Sequence, residues 1–156
     1  MDILTPKGQK TLEQEAEAIK IFERNFHFHR FIHTAKHKPL DFDGLILEGN
    51  DLQAIVEIKC RQMTEQHFRQ NFKSEWLITL DKVTRCAAAA KLIGVPLSGW
   101  LYLVPDKVLL MRRLTDSNGN IIELRQEITT TQATVNGGIA TRLNAYIDMS
   151  SAKRIV

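Results

Sequence analysis

Two acidic residues and a lysine stand out by their spacing. Asp43 lies in Asp41-Phe42-Asp43-Gly44-Leu45-Ile46-Leu47, and Glu57 and Lys59 lie in Ala54-Ile55-Val56-Glu57-Ile58-Lys59-Cys60-Arg61. Both segments are dominated by apolar, often β-branched residues, which predicts strands over about 42–47 and 52–60. Between them, Glu48-Gly49-Asn50-Asp51 carries hairpin turn chemistry. A hairpin symmetric about Asn50 sets Asp43 opposite Glu57. Side chains alternate along a strand, so Glu57 and Lys59 share a face with Leu45, Leu47 and Ile55, while Ile46, Val56 and Ile58 take the other.

Strands that are apolar on both faces are covered on both sides. Charged groups in such strands are unfavourable unless they pair, bind a metal or reach solvent. Two close carboxylates also raise each other's proton affinity, and a divalent cation removes that penalty. Oxygen ligands favour Mg²⁺ or Mn²⁺ over zinc. Such a cation can polarise a phosphoryl oxygen and activate water. A neighbouring lysine can orient or deprotonate that water, or stabilise developing charge. The set is sufficient to hydrolyse a phosphodiester. An isolated Glu-x-Lys on a strand is ordinarily an exposed ion pair of little consequence. The apolar setting and the matched aspartate distinguish this one.

The elements that must position these groups follow from periodicity. Leu12, Glu15, Ala18, Ile19 and Phe22 recur at helical spacing, which predicts a helix over about 8–25, started by Thr5-Pro6. Phe26–Ile32 reads as a strand, followed by a polar loop through Lys38-Pro39. Residues 64–73 read as a short helix or an ordered loop. A long helix is expected from Ser74 to Leu92, ending near Gly94 and Pro96. Strands are expected at Trp100–Val104, Lys107–Arg112 and Ile121–Leu124. The order is that of an α/β or α+β domain with a mixed sheet flanked by helices. One domain is expected over 1–156, with a core of about 8–112 and a β-rich C-terminal extension of about 113–156.

The chain has 156 residues, 44% hydrophobic and 25% charged, which suits a globular domain rather than a disordered one. Its net charge of +3 is a mild excess, but the distribution is uneven. Residues 27–38 hold Arg30, Lys36, Lys38 and four histidines with no acid, and residues 59–91 hold seven Lys/Arg against Glu65, Glu75 and Asp81. Basic surface around a carboxylate site suits a polyanion, although each stretch taken alone also reads as a solvated face. The two cysteines, Cys60 and Cys86, have no metal-binding spacing and suit a reduced protein. Met1 to Lys10 has no apolar signal core, and no apolar run approaches the roughly 20 residues that span a bilayer. A cytoplasmic location without membrane contact is expected.

Asp43, a hairpin and then Glu57-Ile58-Lys59 resemble the PD-(D/E)XK nuclease motif in the form D-x(n)-E-x-K. Phe42-Asp43-Gly44-Leu45-Ile46 and Val56-Glu57-Ile58-Lys59-Cys60-Arg61 resemble its two motif strands, and the resemblance extends over about 8–104. Leu40-Asp41 stands where the family name suggests Pro-Asp. The resemblance implies a restriction-endonuclease-like fold and a metal-dependent DNA endonuclease that leaves a 5′-phosphate. It implies Mg²⁺, with Mn²⁺ able to substitute, held by Asp43, Glu57 and the Ile58 carbonyl. It also implies a helical glutamate at the metal site. Glu15 fits that role best, and Glu13 and Glu17 read as surface residues. Lys59 would activate the nucleophile. Lys82 and Arg85 on the following helix, with Arg61 and Gln62, are the candidate DNA contacts.

The remaining polar residues invite blander readings. His27, His29, His33 and His37 have no common zinc spacing and read as strand-surface or substrate-facing residues, with His27 and His29 on one strand face, and no partner for His67 can be named from the sequence. Trp76, Trp100 and Tyr102 are expected in the core. The stretch Thr129–Arg142, with Asn136-Gly137-Gly138, reads either as an edge hairpin or as one that touches DNA through Arg142. Two other functions remain open: a catalytically silent nucleic-acid-binding module of the same fold, and a scaffold whose charges pair structurally. A homodimer is expected if both strands of a duplex are cut.

Overall fold

Thr5 opens the first helix by accepting a hydrogen bond from the Gly8 amide at 3.0 Å, and Pro6 occupies the first turn, where its missing N–H is harmless. The computed structural model describes residues 5–34, 42–130 and 141–156. The expected loop through His37 and Lys38-Pro39, the Leu40-Asp41 pair and Asn136-Gly137-Gly138 lie outside these residues.

Helix α1 runs Pro6–Asn25. Strands β1 (His29–His33), β2 (Gly44–Glu48) and β3 (Asp51–Arg61) follow as an antiparallel meander. After α2 (Glu65–Asn71), β4 (Glu75–Thr79) and α3 (Leu80–Ile93), strand β5 (Leu97–Leu103) returns parallel to β3. Strand β6 (Val108–Arg113) turns back beside β5, and β9 (Lys153–Ile155) closes that edge. The main sheet is six-stranded and mixed, in the order β1-β2-β3-β5-β6-β9. A smaller antiparallel sheet joins β4 to β8 (Thr141–Asp148) and β7 (Arg125–Thr130). A mixed sheet flanked by helices is the architecture expected from the sequence.

The two faces of the main sheet have separate cores. Ala18, Ile19, Ile21 and Phe22 of α1 pack on Val56, Ile58, Trp100 and Tyr102. On the opposite face, Cys86, Ala87 and Ala90 of α3 pack with Ile55, Leu97, Leu101 and Ile147. Sheet alternation thus places α1 on the Ile58 side of β3 and α3 on the Glu57 side. Trp76, Trp100 and Tyr102 are core residues, as expected.

Several element boundaries differ from expectation. The long helix expected from Ser74 begins only at Leu80, because Glu75–Thr79 is a strand. Lys73 and Ser74 have φ of 52° and 58°, a conformation that breaks a right-handed helix. Trp76-Leu77-Ile78-Thr79 is also β-prone sequence, and its partner β8 comes from far along the chain. The first strand starts at His29 rather than Phe26, so His27 does not share a strand face with His29. Ile121–Leu124 forms no strand, only an isolated bridge between Thr115 and Ile121.

The hairpin turn is shorter than symmetry about Asn50 requires. Glu48 pairs with Asp51 and Leu47 with Leu52, but Ile46 pairs with Ala54 and Gly44 with Val56. A bulge between Ile46 and Leu47 absorbs the one-residue difference. The expected register therefore holds where it matters, at the Asp43 end.

Candidate active site

Strand β2 leaves β3 at Gly44, opposite Val56, so among the described residues β3 from Glu57 onward has β5 on one side and no strand partner on the other. Asp43 sits at that parting. Its amide donates to the Val56 carbonyl at 2.9 Å, and its own carbonyl accepts from the Thr34 amide at 3.0 Å and the Thr34 hydroxyl at 2.9 Å. Its carboxylate oxygen Oδ2 accepts from the Ile58 amide at 2.7 Å. The aspartate is thus held through backbone and side chain together. Gly44 makes the arrangement possible: a Cβ there would lie 2.2 Å from Phe31 Cζ and 2.7 Å from the Ile32 carbonyl.

The amide and carbonyl of one strand residue point to the same side. The Ile58 amide faces Asp43, so the Ile58 carbonyl also faces the open edge. Glu57, only 8% exposed, projects toward α3. Lys82 Nζ lies 3.5 Å from its Oε2, and the Cys86 thiol, one turn along α3, donates to the same oxygen at 3.8 Å. Despite Lys82, burial and then the Asp43 carboxylate push the Glu57 pKa up to about 8. Lys59 stands exposed at the cleft. Partial desolvation, and then the neighbouring Arg61, lower its pKa from the usual ammonium value.

These groups line one cavity of about 510 Å³, which also takes in Lys7, Lys10 and Glu15 from α1 and Arg61 and Gln62 from the end of β3. The structure therefore gathers Glu15, Asp43, Glu57, Ile58, Lys59, Arg61 and Gln62 into one cleft. Lys82 and Arg85 lie with Glu57, Lys59 and Arg61 in a second cavity of about 600 Å³. Arg85 also pairs with Asp81 on α3 at 3.1 Å. Among the described residues, no group of three or more His, Cys, Asp or Glu side chains is disposed to hold a metal. Two carboxylates and a strand carbonyl nevertheless form a hard-oxygen donor set of the kind Mg²⁺ accepts, since it keeps several waters of its own.

Some positions differ from the sequence expectation. Glu17, expected to be solvated, accepts a hydrogen bond from the buried Tyr102 hydroxyl at 2.8 Å and ties α1 to β5. Thr34 had no sequence signal; its part in holding Asp43 depends on the register between β1 and β2. His29 packs edge-on against Phe22 and Phe26 and lies 3.6 Å from Glu48. Cys60 and Cys86 form no disulfide, and burial pushes the Cys60 thiol up to about 12, away from reactivity.

No family model and no curated protein matches this chain. Among solved structures it is similar to Hjc, a Holliday junction resolvase from Archaeoglobus fulgidus, an archaeal hyperthermophile. The similarity has a TM-score of 0.47 and 16% identity, and it covers 66% of this chain and 74% of that chain. It concerns the arrangement of elements and assigns no residue a role.

Proposed function

We propose that this chain is a metal-dependent DNA endonuclease of the PD-(D/E)XK type, with Asp43, Glu57 and Lys59 at its centre. The observation that carries the reading is the placement of Asp43. A backbone amide bond fixes it at the open edge of β3, beside Glu57 and two positions from Lys59 across the strand pair. A purely structural ion pair is a weaker explanation. Lys82 is the cation nearest Glu57, yet the carboxyl keeps a strongly raised pKa.

Asp43, Glu57 and the Ile58 carbonyl would hold the divalent ion, Mg²⁺ or Mn²⁺, with Glu15 supporting from α1. The ion would supply charge stabilisation at phosphorus and acidify water. Lys59 would orient the attacking water and stabilise charge on the phosphoryl oxygens, in the position its strand gives it. Water would add to phosphorus and lose a proton to solvent, while the bond to the 3′-oxygen breaks and that oxygen leaves as a hydroxyl, taking a proton from water. Lys82 lies 3.5 Å from Glu57 and only partly offsets its raised pKa, and this ammonium would be available to a substrate phosphate once the ion is bound.

Asp43→Ala tests the assignment. It is expected to abolish Mg²⁺-dependent cleavage of DNA and to weaken Mn²⁺ binding measured by calorimetry. Wild-type cleavage by this variant would overturn the proposal.

A further inference from the structure

The nuclease reading leaves the small sheet without a role, although one face of it borders the site. Alternation along β8 puts Arg142, Asn144 and Tyr146 on the face opposite the buried Ala145 and Ile147. Register adds Thr129 beside Arg142 and Thr79 beside Asn144 on that same face. This face lines the cavity of about 600 Å³ whose other wall is the end of β3. Arg61, from β3, reaches the Leu77 carbonyl of β4 at 3.5 Å across it. The cavity lining has five basic side chains, Lys59, Arg61, Lys82, Arg85 and Arg142, against one carboxylate, Glu57.

The two cavities share Glu57, Lys59 and Arg61. One continues toward α1, where Lys7 and Lys10 stand. The other continues toward the small sheet and Arg142. Basic residues therefore flank the catalytic lysine on both sides. A single small phosphate ester would engage only the middle of such a surface. A polyanion with regularly spaced phosphates would engage its length.

We propose that the β4-β8-β7 sheet is the second wall of a nucleic-acid groove, and that Arg142 binds a backbone phosphate adjacent to the one being cut. Arg142 is a substrate-positioning residue and takes no part in the chemical step. The proposal rests on the nuclease reading for its catalytic centre but not for its binding surface.

The test compares the full chain with Arg142→Gln, Arg142→Lys and the distant control Lys91→Gln. Affinity for a short labelled DNA is measured by anisotropy in Ca²⁺ over a range of salt. Cleavage in Mg²⁺ or Mn²⁺ is measured on the same DNA and on bis(p-nitrophenyl) phosphate. Arg142→Gln is expected to weaken DNA binding about tenfold and to reduce the slope of log affinity against log salt by about 0.7–0.9, one phosphate's share. Arg142→Lys should restore most of the affinity, and turnover of the small ester should stay at the wild-type level. Unchanged affinity and salt slope in Arg142→Gln, or an equal loss in Lys91→Gln, overturns the groove. Metal-dependent cleavage that persists in that case leaves the nuclease reading standing. A wild type that cuts nothing but binds DNA through Arg142 overturns the nuclease reading and supports the groove.

Discussion

At least four hydrogen bonds hold Asp43, and Thr34, a residue outside the motif, supplies two of them. The Thr34 hydroxyl donates to the carbonyls of Phe42 and Asp43 at 2.8 and 2.9 Å. Thr34→Val keeps the shape and the Thr34 amide bond but loses both. It is expected to destabilise the fold by about 1–2 kcal/mol in urea melts. It should also lower the cleavage rate by about tenfold with little change in KM, because Asp43 is less well placed. Glu57 sets the pH behaviour. Its folded pKa of about 8 lies above its ordinary 4.5, so the folded state keeps a proton that the unfolded state has lost. The associated stability is full below the lower value and declines as pH rises through the higher one. Thermal melts of metal-free protein should show a falling midpoint across that window, and Glu57→Gln should flatten it. Mn²⁺ should raise the midpoint more at the alkaline end than at the acid end. A wild-type midpoint independent of pH over that range would contradict this role for Glu57.

At the scale of elements, the site depends on the place where β2 and β3 part. Gly44 is the residue that lets β1, β2 and the Phe31 ring close around it. Gly44→Ala places a Cβ 2.2 Å from Phe31 Cζ and against the Ile32 carbonyl, and should cost about 1–3 kcal/mol of stability in denaturant melts. A neutral substitution would mean that the packing there is looser than described. The pairing of Asp43 with the Glu57 end of the hairpin was legible in the sequence, because alternation and turn residues are local signals. The bulge was not, yet it compensated for a turn one residue shorter than expected. Strand β4 takes the place of the expected start of a helix because Trp76-Leu77-Ile78-Thr79 adjoins a strong helical pattern while its partner β8 lies far along the chain. The Lys82–Glu57 contact was legible only as a general basic helix. Its partner depends on how α3 sits on the sheet.

Over the whole molecule, a net charge of +3 understates the local field, because basic side chains gather where the carboxylates are. Among the described residues no helix is long and apolar enough to cross a membrane. The central claim is metal-dependent cleavage through Lys59. The most direct measurement incubates purified protein with labelled linear, branched and single-stranded DNAs in Mg²⁺, Mn²⁺ or EDTA, beside Lys59→Ala. Lys59 is exposed, so the variant should melt within a few degrees of wild type. Wild type is expected to cut at least one substrate only when metal is present, and Lys59→Ala to be slower by at least about 100-fold. Full activity in Lys59→Ala, or no cleavage of any DNA together with no metal binding, would contradict the assignment.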